Sequence, residues 1–281
     1  MGENHPAYSL KAPASSGSDT ARRLPGRVSF PRLDDHLVEP EITRDEIIGG
    51  RRVVASPAKV PHATQHTRLD YVIEALVAPG YTAATDLLTR HDEDSDFATD
   101  TCVFKEGDDP AAGDRYLEEI AFEVVSKQKA RLVTEKAVRM HHRGVRRIFA
   151  IWPKRRQVRE WSPESQSWRL LDAGAQIEDP CLVAPLSVTA LLDAAAADKA
   201  VVEALVAKGN PEILQREAEG RAEGRAEGRA ESLLKILEVR GIVVSAAQCE
   251  QILLCRDLAR FDRWLERAIL ASSSGEILAE P

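Results

Sequence analysis

The chain has 281 residues, of which 43% are hydrophobic and 30% charged, and its formal net charge is −7. This composition predicts a globular protein long enough to bury a core, and no run approaches the roughly 18–20 apolar residues of a membrane span. The N-terminus has no apolar segment of the signal-peptide kind. Four scattered cysteines predict reduced thiols and a cytoplasmic protein, and exclude a dense disulfide scaffold: Cys102, Cys181, Cys249 and Cys255.

Charge is strongly segregated along the chain. Residues 86–123 contain 13 acidic and 3 basic side chains, a net charge of −10. Residues 124–160 contain 12 basic and 2 acidic side chains, a net charge of +10. The overall negative charge argues against a general nucleic-acid coat protein, but the basic segment is suited to contact phosphates.

In chain order, residues 1–40 predict a disordered arm, because they hold 5 of the 15 prolines and a Ser/Gly/Ala stretch (Ala12 to Ser18) and have little apolar periodicity. A Gly49-Gly50 turn before an apolar run predicts a hairpin, and helical spacing predicts a helix over 62–77. Strand-like runs cover 81–85, 100–104 and 119–126, a helix ends before Gly144, and further strands cover 147–152, 158–161 and 168–171. This order predicts an α/β fold with helices on the faces of a sheet.

After Pro185 the sequence becomes helical. Residues 188–207 are rich in Ala and Leu, residues 218–231 repeat Ala-Glu-Gly-Arg, and residues 233–269 predict a compact helical unit. We therefore divide the chain into an arm (1–40), an α/β domain (41–186), a helical connector with the repeats (187–232) and a C-terminal helical unit (233–281).

The four-residue repeat has two interpretations. Its Glu and Arg side chains never stand three or four residues apart, and each of its three glycines costs about 1 kcal/mol in a helix interior, so an isolated repeat helix should be weak. The first interpretation is a solvated connector. The second is a partner helix of coiled-coil type, in which Gly220, Gly224 and Gly228 allow close approach and Glu and Arg pair between the chains of a homodimer.

Several common catalytic motifs are absent, including a phosphate-binding loop, a dinucleotide-binding glycine motif, a serine nucleophile elbow and HExxH. His62 and His66 stand four residues apart on a predicted helix, and Asp70 continues that face, a spacing compatible with a metal site. With no further ligand cluster in the sequence, capping or surface packing is the favoured role of these histidines.

Three side chains in the α/β domain suggest a metal-dependent site. Glu123 is a lone carboxylate in the apolar run 120–125, which is costly to bury unless it is paired or bound to a metal. Asp100 opens another strand-like run, and two carboxylates at adjacent strand ends would suit Mg²⁺. Lys136 lies on the inward stripe of the following helix. The alternatives are a half-exposed strand for Glu123, a loop acid for Asp100 and a solvent-directed lysine for Lys136.

The order of these segments resembles the putative restriction endonuclease family within the PD-(D/E)XK nuclease superfamily. The resemblance covers about residues 41–175 and rests on five segments: Glu46 to Gly50, His62 to His66, Ser95 to Asp100, Ala121 to Ser126, and Glu135 to Ile151. It implies a central mixed sheet flanked by helices. The helical tail, a C-terminal α-helical extension, also resembles extensions found beside nucleases of this superfamily.

The resemblance also implies roles for individual residues. Asp100 and Glu123 match the two acids of the motif and would hold Mg²⁺ or Mn²⁺, and Glu46 resembles an early acid near the metal. Lys136 matches a helix lysine that replaces the strand lysine of the signature. The chain departs from the pattern at Thr99, which replaces a proline, and at Val125, which stands where the strand lysine would be.

The sequence therefore predicts a metal-dependent endonuclease that hydrolyses phosphodiester bonds, with DNA as the expected substrate. The side chains expected to contact its phosphates are Lys127, Lys129, Lys154, Arg155 and Arg156; a solvated turn is the alternative for residues 153–156. The alternative function is a catalytically inactive nuclease fold that binds nucleic acid or serves as an assembly module. The missing strand lysine favours that alternative, whereas the ordered Asp100, Glu123 and Lys136 favour the enzyme.

Overall fold

The computed structural model of the protein describes residues 30–39, 45–54, 60–125 and 130–279. It divides into two units between Lys208 and Gly209. In the described residues no helix is both long enough and apolar enough to cross a membrane. The predicted cytoplasmic location stays a prediction.

The first unit is built around a sheet. Its strands are β1 (Asp45–Ile48), β2 (Arg51–Val54), β3 (Tyr81–Asp92), β4 (Ser95–Lys105), β5 (Asp108–Asp109), β6 (Asp114–Arg115), β7 (Glu118–Val124), β8 (Arg147–Trp152), β9 (Gln157–Ser162), β10 (Ser167–Leu170), β11 (Gln176–Ile177) and β12 (Leu186–Ser187). Its α-helices are α1 (Val60–Leu76), α2 (Ala130–Arg143) and α3 (Ala194–Ala207), and 3-10 turns cover Pro153–Arg155 and Val188–Leu191. The helix predicted over 188–207 is thus interrupted, and α3 begins after the Asp193 side chain accepts a hydrogen bond from the Ala196 backbone N–H.

The main sheet is mixed. Its strands follow the order β10-β9-β8-β7-β4-β1-β2, and β3 pairs with β4. β7 and β8 run parallel, joined by α2 as a crossover, and the other pairs of this sheet are antiparallel. This arrangement confirms the predicted α/β fold with a central mixed sheet flanked by helices and followed by a helical extension.

Helices α1 and α2 cover opposite faces of the sheet. Phe122 and Val124 of β7 belong to the core that contains the α1 side chains Leu69 and Ile73. The alternate residue, Ala121, packs instead with Ala137 and Met140 of α2. Because side chains alternate along a strand, Glu123 points to the α2 face together with Ala121.

Residues 30–39, which the sequence assigns to the arm, lie against the sheet. Leu33 is buried, its N–H donates to Asp114 Oδ2 (3.0 Å), and its carbonyl accepts from the Arg90 N–H (2.8 Å). Leu37 N–H donates to Asp96 Oδ2 (2.7 Å). The structure therefore places this end of the predicted arm in the folded unit. The rest of the arm, residues 1–29 and 40, is outside the described residues.

The second unit is helical and has its own core. Its helices are α4 (Pro211–Val239), α5 (Ala246–Leu254), α6 (Leu258–Leu270) and α7 (Ser274–Leu278). The repeats lie within α4, where Ala226 and Ala230 are buried in one cluster with Phe261 and Trp264 of α6. Arg229 of α4 forms an ion pair with Asp262 of α6. Tertiary packing thus supplies the stabilisation that the repeat helix lacks by itself.

Replacing Gly224 with alanine should raise the free energy of unfolding of this unit by about 1 kcal/mol, because an alanine loses less backbone freedom in a helix interior. Gly224 is exposed in α4, and a Cβ there would meet no other atom within 4 Å. Chemical denaturation followed by circular dichroism measures the change. Gly241→Ala is the matched control and should destabilise, because Gly241 ends the helix with a φ of 69°. A loss of stability in Gly224→Ala would contradict the expectation.

Candidate active site

The candidate site lies where the sheet forks along one edge of β4. One edge of β4 pairs with β3 along most of its length. The other edge pairs with β7 from residue 101 onward and with β1 only at Asp96. The intervening residues of β4 are therefore next to the gap between β1 and β7, where side chains can replace a neighbouring strand as hydrogen-bond partners.

The backbone of Ala98 is satisfied in this way. Its N–H donates to Glu46 Oε1 of β1 (3.1 Å), and its carbonyl accepts from Lys136 Nζ of α2 (2.9 Å). Lys136 Nζ also donates to Glu46 Oε1 at 2.9 Å. Glu46 and Lys136, which are 90 residues apart, thus form one hydrogen-bonded group at the fork. Lys136 is 3% exposed, and its side chain points inward, as its position on the helix predicts.

Asp100 occupies the point at which β4 changes the face on which its side chains pack. Thr99 contacts Met140 of α2, whereas Thr101 donates to Asp70 Oδ1 of α1 (2.6 Å). Regular alternation would place both threonines on one face, so the alternation breaks at Asp100. Opposite Asp100 in the β3–β4 register, Asp86 has a left-handed φ of 52°. The break gives the Asp100 carboxylate access to residues of both faces.

Asp100 and Glu123 come together across β4 and β7. The register pairs Thr101 with Phe122, so Asp100 and Glu123 are the next residues facing each other, at the end of the ladder. Asp100 Oδ2 accepts the Val124 N–H at 2.6 Å. Glu123 is 1% exposed, its Oε2 lies 3.8 Å from Lys136 Nζ, and its buried Oε1 has no hydrogen-bond partner among the described residues. The two predicted acids therefore stand opposite each other in the strand register, and Glu123 has a buried oxygen without a hydrogen-bond partner among the described residues.

The two carboxylates differ in their affinity for protons. Burial raises the pKa of Glu123 well above its usual range, the nearby Asp100 charge adds to this, and the Lys136 ammonium opposes it. Burial also acts to raise the pKa of Asp100, but contacts with His66 and the charge of Lys136 outweigh it and hold that pKa below its usual range. Burial acts to lower the pKa of Lys136, yet the carboxylates of Glu123, Glu46 and Asp100 raise it overall. Lys136 and Asp100 are therefore charged at neutral pH.

Two histidines of α1 lie next to Asp100. The sequence analysis did not predict this proximity. His66 Nε2 lies 3.2 Å from Asp100 Oδ2, and the rings of His62 and His66 are 4.6 Å apart. His62, His66 and Asp100 form the single group of three metal-ligating residues in the described part of the chain whose ligand atoms lie within 4.8 Å of one another. The i,i+4 spacing signalled the two histidines, but the predicted third member, Asp70, is engaged by Thr101 instead.

The remaining predicted residues lie elsewhere. Lys127 and Lys129 are outside the described residues. Lys154, Arg155 and Arg156 are exposed in and just after the 3-10 turn that follows β8. Val125 is buried with Val133 and Ala150, so an apolar contact occupies the position of the strand lysine.

The chain is similar to known nuclease-related proteins. A family model described as Uma2, putative restriction endonuclease, matches residues 29–193. The chain is also similar to the crystal structure of a putative nuclease belonging to DUF820 from Anabaena variabilis ATCC 29413, with 20% identity, a TM-score of 0.44, and coverage of 52% of this chain and 88% of that chain. None of the curated proteins matches this chain.

Proposed function

Because this chain belongs to the Uma2 family of putative restriction endonucleases, we propose that it is a Mg²⁺- or Mn²⁺-dependent endonuclease that hydrolyses phosphodiester bonds in DNA. The observation that carries the proposal is Glu123, a buried carboxylate opposite Asp100 in the strand register whose Oε1 has no hydrogen-bond partner among the described residues. Leaving a buried carboxylate oxygen without a hydrogen-bond partner is costly, and a bound cation would remove that cost.

The donor set suits a hard divalent cation. Carboxylate oxygens are the protein ligands that Mg²⁺ and Mn²⁺ prefer, and Mg²⁺ is commonly held by one or two of them. We assign Asp100 and Glu123 as the ligands, with Glu46 as a further acid near them. When bound, such an ion would polarise the scissile phosphate and lower the pKa of a water molecule.

Lys136 has the second role in the proposed reaction. Its ammonium is held by Glu46 Oε1 and the Ala98 carbonyl, each at 2.9 Å, so it is fixed before substrate arrives. A preorganised cation stabilises the negative charge that develops on a phosphate during hydrolysis. In this scheme Glu46 positions Lys136, and Lys136 takes the place of the strand lysine that Val125 cannot supply.

The proposed DNA contacts are basic side chains outside the fork. Lys154, Arg155 and Arg156 are exposed, as a phosphate-contacting turn requires, and the assignment of Lys127 and Lys129 rests on their positions in the sequence. Such contacts position a duplex without reading its sequence. A homodimer through α4 stays a prediction; its support is the exposed row formed by Gly220, Gly224 and Gly228.

Cleavage of supercoiled and linear DNA by the purified full chain, with Mg²⁺, with Mn²⁺ and with EDTA, tests the proposal. Metal-dependent cleavage is expected, and Glu123→Gln should reduce its rate by about 10²–10³-fold or more, because the variant keeps the size of the side chain and loses its charge. Added metal should raise the melting temperature of the wild type more than that of Glu123→Gln.

The control is Glu106→Gln, an exposed glutamate in the loop after β4, which should cleave like the wild type. Full cleavage by Glu123→Gln would overturn the site assignment. Absence of cleavage with every metal, together with salt-sensitive DNA binding, would instead favour the catalytically inactive binding module. Val125 is the observation that favours this second function, because no ammonium stands at the strand position.

A further inference from the structure

We propose that His62, His66 and Asp100 form a binding site for a divalent transition-metal ion such as Zn²⁺ or Co²⁺, with a ligand set different from that of the Asp100–Glu123 pair. The inference goes beyond the proposed function, because the site can bind its ion whether or not the protein cleaves DNA.

The first support is geometric. His62 and His66 lie one helical turn apart in α1, so their side chains leave the same face of that helix. One ligand atom from each of the two histidines and from Asp100 lies within 4.8 Å of the others. Ligand atoms that share one tetrahedral zinc ion at about 2.1 Å lie about 3.4 Å apart. Side-chain movements of about 1 Å would therefore close the site around an ion.

The second support is that the site leaves imidazole nitrogens without hydrogen-bond partners. Among the described residues, His62 Nδ1 and His66 Nε2 are buried and make no hydrogen bond. His66 Nε2 approaches Asp100 Oδ2 to 3.2 Å, in a contact that does not meet the geometry of a hydrogen bond. Buried polar atoms are normally satisfied, so His62 Nδ1, which has no partner among the described residues, needs an explanation. A metal ion held between the two histidines and Asp100 would supply that partner and would replace the contact of His66 with Asp100.

The third support is the position of Asp100. Because the packing of β4 changes face at this residue, its carboxylate reaches α1 while the Val124 N–H fixes one of its oxygens at 2.6 Å. A ligating carboxylate is commonly held by such a hydrogen bond from the surrounding structure. Asp86, across the β3–β4 register from Asp100, adds a further negative charge to this region.

The chemistry of the ligands selects the class of ion. Imidazole suits Zn²⁺, Co²⁺, Ni²⁺ and Fe²⁺, whereas Mg²⁺ prefers oxygen ligands and retains its waters. Two histidines and one carboxylate also leave coordination positions open, as in catalytic rather than structural zinc sites. We therefore expect the site to take a transition-metal ion in the presence of excess Mg²⁺ and to keep a position for water or a phosphate oxygen.

Titration of the metal-free full chain with Zn²⁺ in excess Mg²⁺, by isothermal calorimetry and elemental analysis after dialysis, tests the proposal. We expect one Zn²⁺ per chain, and at least a 10-fold loss of affinity in His62→Ala and in His66→Ala. With Co²⁺, visible absorption should report nitrogen coordination in the wild type and weaken in both variants. His141→Ala is the matched control, because His141 is an exposed histidine of α2, and it should bind like the wild type.

Glu123→Gln separates this site from the proposed catalytic pair. It should lose metal-dependent cleavage yet keep the Zn²⁺ stoichiometry and the Co²⁺ absorption. If His66→Ala fails to fold, His62→Ala carries the test. Unchanged Zn²⁺ affinity in a folded His62→Ala variant would overturn the proposal, as would a wild type that binds no Zn²⁺, which would leave His66 as an ion-pair partner of Asp100.

Discussion

Replacing Lys136 with methionine should lower the free energy of unfolding of the first unit by about 3–5 kcal/mol. Lys136 is buried, its ammonium donates to Glu46 Oε1 and the Ala98 carbonyl, and Glu123 Oε2 lies 3.8 Å away. Methionine has a similar volume but no charge, so the variant leaves buried carboxylate charge without its cation. Removing one partner from such a group costs more than the pair contributes by itself, because the remaining charge is poorly solvated.

The loss of stability caused by Lys136→Met should depend on pH. Burial raises the pKa of Glu123 above its usual range, so the folded-state pKa exceeds the unfolded one. A group of this kind contributes stability that is fully present below its unfolded pKa and is lost as the pH rises through its folded pKa. Since a protonated Glu123 needs no cation, the difference in unfolding free energy between Lys136→Met and the wild type should narrow as the pH falls through the raised folded-state pKa of Glu123.

Urea denaturation at several pH values, followed by circular dichroism, measures both effects. Lys154→Met is the matched control, because Lys154 is exposed, and its unfolding free energy should stay within about 0.5 kcal/mol of the wild type. Adding Glu123→Gln to Lys136→Met should recover part of the loss, because one buried charge is then removed. A Lys136→Met variant as stable as the wild type at neutral pH would contradict the ion-paired site described above.

Replacing Trp264 with alanine should destabilise the C-terminal unit by about 3–5 kcal/mol. Trp264 is 2% exposed and packs edge-on against Phe261, with ring centroids 5.5 Å apart. It belongs to the same cluster as Ala226 and Ala230 of the repeat helix. Because the alanines of the repeat are too small to form a core by themselves, loss of the indole removes much of the surface against which α4 packs.

The effect should be confined to the second unit, because each core cluster draws its buried residues from one unit. Limited proteolysis should cut Trp264→Ala within α4 at protease concentrations that leave the wild type intact. The unfolding transition of the first unit should stay where it is in the wild type. The matched control is Leu270→Ala, in the same helix α6 but 85% exposed, which should resist like the wild type. If the variant unfolded in a single transition that shifted as a whole, the expectation that the two units unfold independently would be contradicted.

Local sequence patterns were sufficient for several parts of this structure. The alternation of apolar residues around Glu123 predicts a buried strand, and helical spacing predicts the inward direction of Lys136 in α2. The order of strands and helices predicts the α/β class. These features depend on residues within a few positions of one another, because periodicity reports which side of one element is buried.

The tertiary structure alone decided which of these residues meet. At the gap between β1 and β7, the Ala98 backbone forms hydrogen bonds with Glu46 and Lys136. The break in alternation at Asp100 places its carboxylate next to His66. The repeat shows the same dependence, since its glycines predict a weak helix and packing against α6 stabilises it. Contacts between residues far apart in the chain decide how strands pair, where a strand changes face and how helices pack. Local periodicity does not predict these contacts, because it depends only on residues close together in the sequence.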